Sequence, residues 1–504
     1  MESEQNSEEE SFSVTFLVSN DLHSQHVPFD TDAGPNLGGT ARRATYLSEQ
    51  RRKHGNVVVL DVGDAFLGSD YFTFFDGEVE MKLFDALGYE AMAVGNHDFD
   101  QGGLSNLLKQ SAHSPNTTLL CANLRKKSNF EMVFQPFKLI NANGIKIAVV
   151  GLFGMDAWNV TPREYKEDLL YENLEEAAVR VCKHLEENSK PDIYVCLSHT
   201  GVHRGDRDLA QLGLFDIIFS GHDHGRNIED WEFINNKRKN GFGGTLLHPG
   251  NWGGRAMAKL KIRINKNSRD ELTVITKCTD IIDSSYEDDQ SVVEFLEYYK
   301  DKYMHIAEEH LAVCHHENMT KDHLKNNYRL QASHPLSEYI CNALRSFFSP
   351  PADIGMVNLG GIRDGMSKGA VTWSTVNRIW PFNDELHLCE IPGKSLRQIA
   401  ERNANRMMMS QGSGMVYHFS GLEIEYIEDE KKGILVGRME VNGEVLKSEQ
   451  TYRVSMTRFL IENDMIEISD TPEYDPHNTH VKNLRDLLIL HTRNCQEIGG
   501  KGLI

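Results

Sequence analysis

The chain has 504 residues, too many for a single hydrophobic core, so two domains are expected. Its composition, 40% hydrophobic and 25% charged, is typical of a soluble globular protein, and its longest apolar runs, such as residues 144–155, are too short to cross a bilayer. The formal net charge of −21 repels polyanions and argues against a large nucleic-acid-binding surface.

The N-terminal residues and the cysteines bear on the compartment. Residues 1–11 are acidic and polar and lack the basic start and apolar stretch of a secretory signal, so we expect a disordered tail. Eight cysteines are dispersed with no Cys-x-x-Cys pair, which favours free thiols in a reducing compartment over a disulfide framework. Both observations predict a cytoplasmic protein, unless the chain uses another export route or its N-terminus is trimmed.

The first half of the chain alternates apolar, β-branched runs with helical patterns. Helical periodicity is clear in residues 39–55 and 174–190. The apolar runs, each with its polar or glycine-rich end, are SVTFLVSND, NVVVLDVGD, YEAMAVGNHD, TTLLCANL, IKIAVVGLF, IYVCLSHTG, DIIFSGHDHG and GTLLHPGNWGG. Strands that alternate with helices predict a layered α/β domain with sheets at its centre.

The pattern changes after residue 287. A stretch with one apolar helical face follows, and residues 288–327 are interpreted as a helical connector. Residues 328–504 return to a mixture of helices and strands that is long enough for a second domain. The first domain is therefore expected to span residues 12–287.

Side chains able to bind metals gather at the ends of the predicted strands, where layered α/β folds place their chemistry. Each motif alone has an ordinary explanation as a turn, a helix cap or a hydrogen-bonded pair. Independent caps give no reason for metal-competent side chains at five successive strand ends, so together they predict a metal site. The candidates are Asp21, His23, Asp64, Asn96, His199, His222 and His224.

The number and type of these groups predict two ions. In an extended backbone residues i and i+2 project to the same side, so Asp21 with His23, and His222 with His224, are each expected to offer two ligands. Seven groups exceed the three or four protein ligands of one catalytic zinc. Imidazole and carboxylate ligands suit Zn, Mn, Fe or Co. Two ions about 3.5 to 4 Å apart hydrolyse phosphate esters and attract phosphate to an acidic protein.

The order of the motifs SNDLHS, VGDAF, GNHD, SHTG and GHDH resembles the calcineurin-like metallophosphoesterase superfamily. The form GNHDFD, with VNLGGIRDG, WPFNDEL and HFSGLEIEY in the second half, is similar to the two-domain 5'-nucleotidase family, over residues from about 12 to about 460. The resemblance implies a layered β-sandwich metallophosphoesterase domain flanked by helices, a helical connector and a C-terminal α/β substrate-binding domain.

The resemblance also implies how the ligands are divided between the ions. One ion would be held by Asp21, His23 and His224, the other by Asn96, His199 and His222, and Asp64 would bridge them.

His97 matches the family's catalytic histidine, which contacts the phosphoryl oxygen, and Asp100 matches the aspartate that orients it. Asp98 is a rival orienting partner, although its place next to His97 in the chain makes that contact awkward. A cationic imidazole beside the leaving ester would stabilise developing charge or donate a proton.

The family's substrate-binding positions map onto the second half of the chain. Arg363 matches an arginine that holds phosphate, and Asn358 and Gly360 match loop positions near ribose and phosphate. The glycines before Arg363 would let backbone N–H groups approach an anion or a sugar. Phe382 matches one of two aromatic rings that enclose the nucleobase, with a core phenylalanine as the plain alternative. Arg329 is a candidate second phosphate arginine, in surroundings that depart from the family pattern.

These residues predict a dimetal phosphohydrolase that cleaves phosphate monoesters, above all nucleoside 5'-monophosphates. The segment TRFLIENDMIEIS lacks the glycine run around the family's second aromatic ring. One alternative is therefore a phosphodiesterase or pyrophosphatase acting on cyclic nucleotides or nucleotide sugars, and another is a non-catalytic module that senses nucleotide. The expected partners are a small-molecule phosphate ester and two divalent metal ions, without nucleic acid or a membrane span.

Overall fold

The computed structural model describes residues 11–31, 33–224, 231–236, 241–265, 271–317, 319, 334–408, 415–429, 433–463 and 481–499. The chain divides into two compact units, Met1–Asp301 and Lys302–Ile504. Across the described ranges, no helix combines the length and the apolar character needed to cross a membrane.

The first unit contains sixteen described strands and a set of mostly short helices. In chain order the strands are β1 (Ser11–Ser19), β2 (Phe29–Thr31), β3 (Gly34–Leu37), β4 (Val57–Asp61), β5 (Ala91–Ala93), β6 (Thr118–Leu120), β7 (Leu124–Lys126), β8 (Phe137–Ala142), β9 (Ile145–Phe153), β10 (Leu169–Tyr171), β11 (Ile193–His199), β12 (Ile217–Ser220), β13 (Glu232–Asn235), β14 (Gly244–His248), β15 (Ala256–Asn265) and β16 (Leu272–Ile281). The α-helices are Thr40–His54, Asp70–Phe75, Glu78–Leu87, Gly103–Ser111, Met155–Val160, Arg163–Lys166, Leu174–Asn188 and Arg207–Gln211, with a 3-10 turn at His97–Phe99 and a π-helical turn at Val202–Asp206.

Two six-stranded sheets form the centre of this unit, with strand orders β16-β15-β1-β4-β5-β6 and β13-β14-β12-β11-β9-β8. Alternate side chains of each strand point to opposite faces. Phe16 of β1 and Val149 of β9 belong to one buried cluster between the sheets, whereas Val150 packs on the opposite face with Val181 of the helix Leu174–Asn188. The predicted layered β-sandwich flanked by helices is confirmed.

The direction of the strands determines where their polar ends meet. In the first sheet β1, β4, β5 and β6 run parallel to one another. In the second sheet β9, β11, β12 and β14 do the same. The carboxyl ends of neighbouring parallel strands lie on the same edge of their sheet, so loops from distant parts of the chain come together there.

The chain leaves the first unit through the helix Gln290–Ala307. The helical pattern of the sequence continues beyond this point, but His310–Cys314 is a strand, β17, that pairs antiparallel with Gly369–Thr372. Residues 310–314 therefore belong to a sheet of the second unit, since pairing over this sequence distance determines their conformation.

The second unit is an α/β structure around a four-stranded sheet. Its further strands are β18 (Ile354–Asn358), β19 (Gly369–Thr372), β20 (Leu386–Pro392), β21 (Tyr417–Ser420), β22 (Leu422–Asp429), β23 (Gly433–Val441), β24 (Glu444–Val445), β25 (Thr451–Thr457) and β26 (Glu497–Ile498). Its helices are Pro335–Phe347, Trp373–Ile379, Gly393–Met408, Arg458–Asn463 and Leu484–Cys495, with a 3-10 turn at Leu359–Gly361. The central sheet has the order β20-β25-β18-β21, beside the three-stranded sheets β19-β17-β26 and β22-β23-β24.

Neighbouring residues of β18 show that helices cover both faces of this central sheet. Val357 packs with Ile340 of the helix Pro335–Phe347, and Met356 packs on the other face with Ile399 of the helix Gly393–Met408. A strand buried on both faces is typical of a sheet enclosed between helices.

One glycine of the second unit is required by packing. Gly361 lies at the end of the 3-10 turn Leu359–Gly361, and a Cβ built on it would overlap the ring of the buried Trp380. The absence of a side chain at Gly361 therefore allows the turn to lie against the indole, whatever else the turn contacts.

Gly361→Ala is expected to destabilise the second unit by about 1 to 3 kcal/mol, because the added methyl group overpacks a filled core. Thermal and urea-induced unfolding would measure the change. Ser367→Ala, on an exposed position of the same connecting segment, is the control and should shift stability by less than about 0.5 kcal/mol. Equal stabilities of the two variants would contradict the packing role.

Candidate metal centre

The seven predicted ligands lie at the carboxyl ends of parallel strands from both sheets of the first unit. Each follows or ends a strand: Asp21 and His23 after β1, Asp64 after β4, Asn96 after β5, His199 at the end of β11, and His222 and His224 after β12. Asp21, Asp64, Asn96 and His199 are buried. The sequence order of the motifs therefore corresponds to a single edge of the sandwich.

The backbone at the paired ligands is not extended. The φ angles of Asp21 and His23 are both 48°, and those of His222 and His224 are 76° and 48°. Residues other than glycine rarely adopt this left-handed conformation, and each one that does so destabilises the fold by of order 1–3 kcal/mol. The expectation that i and i+2 ligands project from an extended strand is wrong, because each pair sits on a tight turn beyond the strand end.

Hydrogen bonds between the turns hold this conformation. The backbone N–H of Asp21 donates to the carbonyl of Gly63 at 2.9 Å, and that of His23 donates to the carbonyl of Asp64 at 3.0 Å. Asp64 itself has a φ of 54°. The turns after β1 and β4 therefore stabilise each other and set the positions of three ligands together.

The ligand atoms form two groups that share Asp64. The first group is Asp21, His23, Asp64 and His224, and the second is Asp64, His199 and His222. Within each group the ligand atoms lie within 4.8 Å of one another. This is the division that the family resemblance implies.

Asn96 lies next in the chain to a residue that contacts Asp64. It follows β5 directly before His97, whose backbone N–H donates to Asp64 Oδ1 at 2.7 Å. The amide oxygen of Asn96 is buried and has no hydrogen-bond partner within the described part of the chain. A buried acceptor without a partner is costly, and a cation at this place would satisfy it.

Two histidine rings of the ligand groups are oriented by backbone carbonyls. His199 Nδ1 donates to the carbonyl of Val62 at 2.8 Å, and His23 Nδ1 lies 3.3 Å from the carbonyl of Phe66. In the neutral imidazole, these contacts leave Nε2 as the nitrogen with the lone pair. His23 Nε2 then faces His224 Nε2 at 2.8 Å, a distance at which two lone pairs need a shared cation or proton.

The charges of the group also fit a pair of cations. Burial penalises the charged form of Asp64, but the imidazoles of His199 and His97 outweigh it and hold the pKa of Asp64 well below its usual range. Burial lowers the pKa of His199, but the attraction of Asp64 outweighs burial and raises it to about 10. Burial and the neighbouring His224 lower the pKa of His23, which favours the neutral form that binds metal. The place beside Asp64 therefore favours positive charge.

His97 lies beside the two ligand groups and is paired with Asp100. His97 Nδ1 donates to Asp100 Oδ2 at 2.8 Å, and the His97 ring lies 5.3 Å from the ring of His23. Asp98 instead accepts backbone N–H groups, from Gly95 at 2.7 Å and from Asp64 at 3.0 Å. Asp98 therefore holds the turn that carries Asp64, and it is Asp100 that contacts His97.

Several residues around the ligands were missed by the sequence analysis. Asp156 Oδ2 accepts a hydrogen bond from His222 Nε2 at 2.9 Å. The ring of Trp252 stacks on that of His224, with centroids 6.1 Å apart and an angle of 18° between the planes. Asp156 follows the run IKIAVVGLF and Trp252 follows GTLLHP, so an inspection of every strand end would have included both.

Asp223, between His222 and His224 in the chain, connects two turns. It accepts hydrogen bonds from Arg204 Nε at 2.8 Å and from the backbone N–H of His203 at 3.2 Å. Asp223 therefore links the turn that carries His222 and His224 to the turn that follows β11.

Comparison with known protein families agrees with this geometry. Residues 14–226 match the calcineurin-like phosphoesterase family, and residues 315–466 match the 5'-nucleotidase C-terminal domain. The chain is therefore similar to the 5'-nucleotidase family in both of its parts.

Curated relatives show how far the similarity extends. The chain is 25% identical over 493 residues to a 5'-nucleotidase of Vibrio cholerae, an alignment that covers 90% of this chain and 85% of the relative. It is 24% identical over 491 residues to the trifunctional nucleotide phosphoesterase protein YfkN of Bacillus subtilis. That alignment covers 89% of this chain but only 32% of YfkN, so the chain spans about a third of the length of this relative.

Among solved structures, the fold is similar to a 5'-nucleotidase precursor from Thermus thermophilus. The TM-score is 0.81 at 21% sequence identity, and the match covers 97% of both chains. The two-domain fold of the 5'-nucleotidase family is therefore present along nearly the whole chain.

The family's substrate-binding positions lie in the second unit. The Arg363 guanidinium lies over the ring of Phe382, 5.2 Å from its centroid, and Phe382 in turn contacts Trp380 with ring centroids 5.8 Å apart. Asn358 ends β18, and Gly360 lies in the 3-10 turn that follows it.

Two parts of the substrate-side interpretation fall outside the described residues. Arg329 is one, and the other is residues 464–469 of the segment TRFLIENDMIEIS. The part of that segment that is described, Arg458–Asn463, forms a short helix.

The two ligand groups make separate predictions for the two histidines of the GHDH motif. His222→Ala and His224→Ala should each reduce the bound metal from two ions to one per chain, and the ion lost should differ. Metal analysis of the purified variants, combined with the double variant, would measure this, with thermal unfolding as the control for folding. Equal loss of both ions from either folded single variant would contradict the division of ligands.

Proposed function

We propose that this protein is a dimetal phosphohydrolase that cleaves phosphate monoesters, with nucleoside 5'-monophosphates as its main substrates. The observation that carries the proposal is the pair of ligand groups that share the buried Asp64. The calcineurin-like phosphoesterase match over residues 14–226 supports the reaction, and the 5'-nucleotidase C-terminal match over residues 315–466 supports a nucleotide as the substrate.

Seven side chains are proposed to hold the two ions. One set is Asp21, His23 and His224, the other is Asn96, His199 and His222, and Asp64 belongs to both. When bound, two divalent ions supply the nucleophile from water and neutralise charge on the phosphate. The mixture of imidazole and carboxylate ligands suits Zn, Mn, Fe or Co.

His97 is proposed as the group that assists the leaving oxygen. Because His97 Nδ1 donates to Asp100, the Nε2 atom is the one able to reach a substrate. A protonated imidazole in this place can donate a hydrogen bond or a proton to the ester oxygen as the bond to phosphorus breaks. Asp100 fixes the orientation of the ring, as a carboxylate does in other histidine pairs.

The second unit is proposed to carry substrate-binding residues. Arg363 would hold the phosphate with Asn358 and Gly360 close to it, and Arg329 would add a second cation. Phe382 would contact the nucleobase through the exposed part of its ring, since the ring is only partly buried against Trp380. A small phosphate ester is thus the proposed partner, and the net charge of −21 opposes nucleic acid.

A reducing compartment, the cytoplasm, is the proposed location. All eight cysteines are free, six of them buried. Buried thiols without disulfides are typical of proteins that fold under reducing conditions.

The proposed activity predicts release of inorganic phosphate from AMP and UMP by the purified protein with added Mn²⁺ or Zn²⁺, and its loss on chelation. A screen that includes an aryl phosphate, a 2',3'-cyclic nucleotide and a nucleotide sugar would measure the preference. Faster turnover of the cyclic nucleotide or the nucleotide sugar would indicate a phosphodiesterase or pyrophosphatase. No hydrolysis, with nucleotide bound equally well after chelation, would indicate a sensing module.

The pairing of His97 with Asp100 makes a further prediction. His97→Asn should lower kcat by about 10²- to 10⁴-fold, because an acid–base group is lost, and should leave both ions bound. Asp100→Asn should lower kcat by a smaller factor and preserve metal content. Steady-state kinetics with metal analysis of the same samples would test both. Loss of metal in the His97→Asn protein would contradict a role limited to catalysis.

A further inference from the structure

One arginine side chain joins three loops at the edge of the candidate centre. Arg204 Nε donates to Asp223 Oδ1 at 2.8 Å, and Arg204 Nη1 donates to Asp156 Oδ2. Asp156 follows β9, Arg204 follows β11 and Asp223 follows β12. These three residues, called here the Arg204 clamp, connect the carboxyl ends of three neighbouring strands.

The clamp ends on a proposed metal ligand. Asp156 Oδ2 lies 2.9 Å from His222 Nε2. An ionised carboxylate only accepts hydrogen bonds, so His222 Nε2 carries the proton and Nδ1 keeps the lone pair. The backbone N–H of His222 donates to Asp21 Oδ2 at 3.0 Å. The backbone and the ring of His222 are thus fixed by separate carboxylates.

His222 differs in this respect from two other proposed ligands. The outer nitrogens of His23 and His199 face the backbone carbonyls of Phe66 and Val62. A carbonyl is fixed by the fold, whereas the carboxylate of Asp156 is at the end of a side chain that is 38% exposed. A carboxylate in that position needs a partner of its own to stay in place, and Arg204 is that partner.

Arg204 lies on a turn with an unusual backbone. Val202–Asp206 forms a π-helical turn in which Gly205 has a φ of 156°, a conformation that favours glycine. Turns of this kind are rare in proteins, and those that occur are often at functional sites. Arg207, three residues further on, points elsewhere and pairs with Glu232 at 2.6 Å.

We propose that Asp156 is a positioning residue that sets the ring orientation and tautomer of His222. Arg204 holds Asp156 in place, and the ion pair of Arg204 with Asp223 in turn fixes Arg204. The inference rests on the proposed function, because it concerns the ion held with His199 and His222. Carboxylates behind metal-binding histidines contribute about 10- to 100-fold to metal affinity.

The experiment is a Co²⁺ titration of the full chain after removal of metal with a chelator. Visible absorption follows the Co²⁺ environment, and elemental analysis after gel filtration counts the bound ions. The variants are Asp156→Ala, Asp156→Asn and Arg204→Met. Arg207→Met is the matched control, because the side chains of Arg204 and Arg207 are both 42% exposed and lie on the same turn region.

Asp156→Ala is expected to lower the affinity for one of the two ions by about 10- to 100-fold and to leave the affinity for the other unchanged. Asp156→Asn should recover most of that affinity, because its amide oxygen still accepts the His222 proton. The Co²⁺ affinity of Arg204→Met should lie between those of the wild type and Asp156→Ala. The affinity of Arg207→Met should equal that of the wild type. The double variant Asp156→Ala with His222→Ala should bind no less metal than His222→Ala alone, because both changes act on one ligand.

Three results would overturn the inference. Asp156→Ala with wild-type affinity for both ions would show that Asp156 does not position a ligand. Equal losses in Asp156→Ala and Asp156→Asn would show that its charge, and not its hydrogen bond, is required. Equal losses of Co²⁺ affinity in Arg204→Met and Arg207→Met would show that the Arg204 clamp does not support the ligand. If Asp156→Ala does not fold, as judged by thermal unfolding, the comparison of Asp156→Asn with Arg204→Met and Arg207→Met decides the clamp.

The inference and the proposed function fail in different ways. Two Co²⁺ ions bound by the wild-type protein, without phosphate release from any ester, would refute the proposed function and leave the Asp156 comparison intact. Phosphate release by the wild-type protein, with both ions retained in Asp156→Ala, would refute only the inference.

Discussion

The carboxylate of Asp64 belongs to both ligand groups, and the surrounding structure keeps it charged and fixed in place. Burial penalises that charge, and the imidazoles of His199 and His97 overcome the penalty and keep the pKa low. Asp98 Oδ2 accepts a hydrogen bond from the backbone N–H of Asp64 at 3.0 Å. A Cβ on Gly95 would overlap the Asp64 carboxylate. The glycine and the aspartate of the segment after β5 are therefore consequences of placing one buried carboxylate in both ligand groups.

The sandwich makes this arrangement possible. Parallel strands bring the turns after β1, β4 and β5 to one edge of the first sheet, and the turns after β11 and β12 to one edge of the second. The core between the sheets, which includes Phe16 and Val149, sets their separation. Burial that excludes water from this core also lowers the dielectric beneath the ligands, so the attraction between Asp64 and positive charge is stronger than it would be in solvent.

The sequence contains part of this architecture in readable form. The apolar runs mark the strands, and metal chemistry depends on side-chain type at strand ends, so Asp21, Asp64 and His199 could be identified without coordinates. The left-handed turns could not, because their φ angles depend on hydrogen bonds between segments, such as the one from Asp21 to Gly63.

Contacts between distant segments account for the residues and elements that the sequence did not reveal. Asp156 is 66 residues from His222 in the chain and lies in no ligand motif, so nothing local connects the two. The strand His310–Cys314 follows a helical pattern and is extended because it pairs with Gly369–Thr372. The local sequence pattern predicts which side chains an element carries. Pairing between distant segments determines the conformation of the residues at its end.

The same reasoning applies to the second unit, where residues of two segments pack at Trp380. Gly361 is required by the ring of Trp380, and Trp380 supports Phe382. The Arg363 guanidinium lies over the Phe382 ring at 5.2 Å, a distance at which a cation and an aromatic face attract each other. A ligand that moves the guanidinium would therefore also change the surface that the Phe382 ring presents.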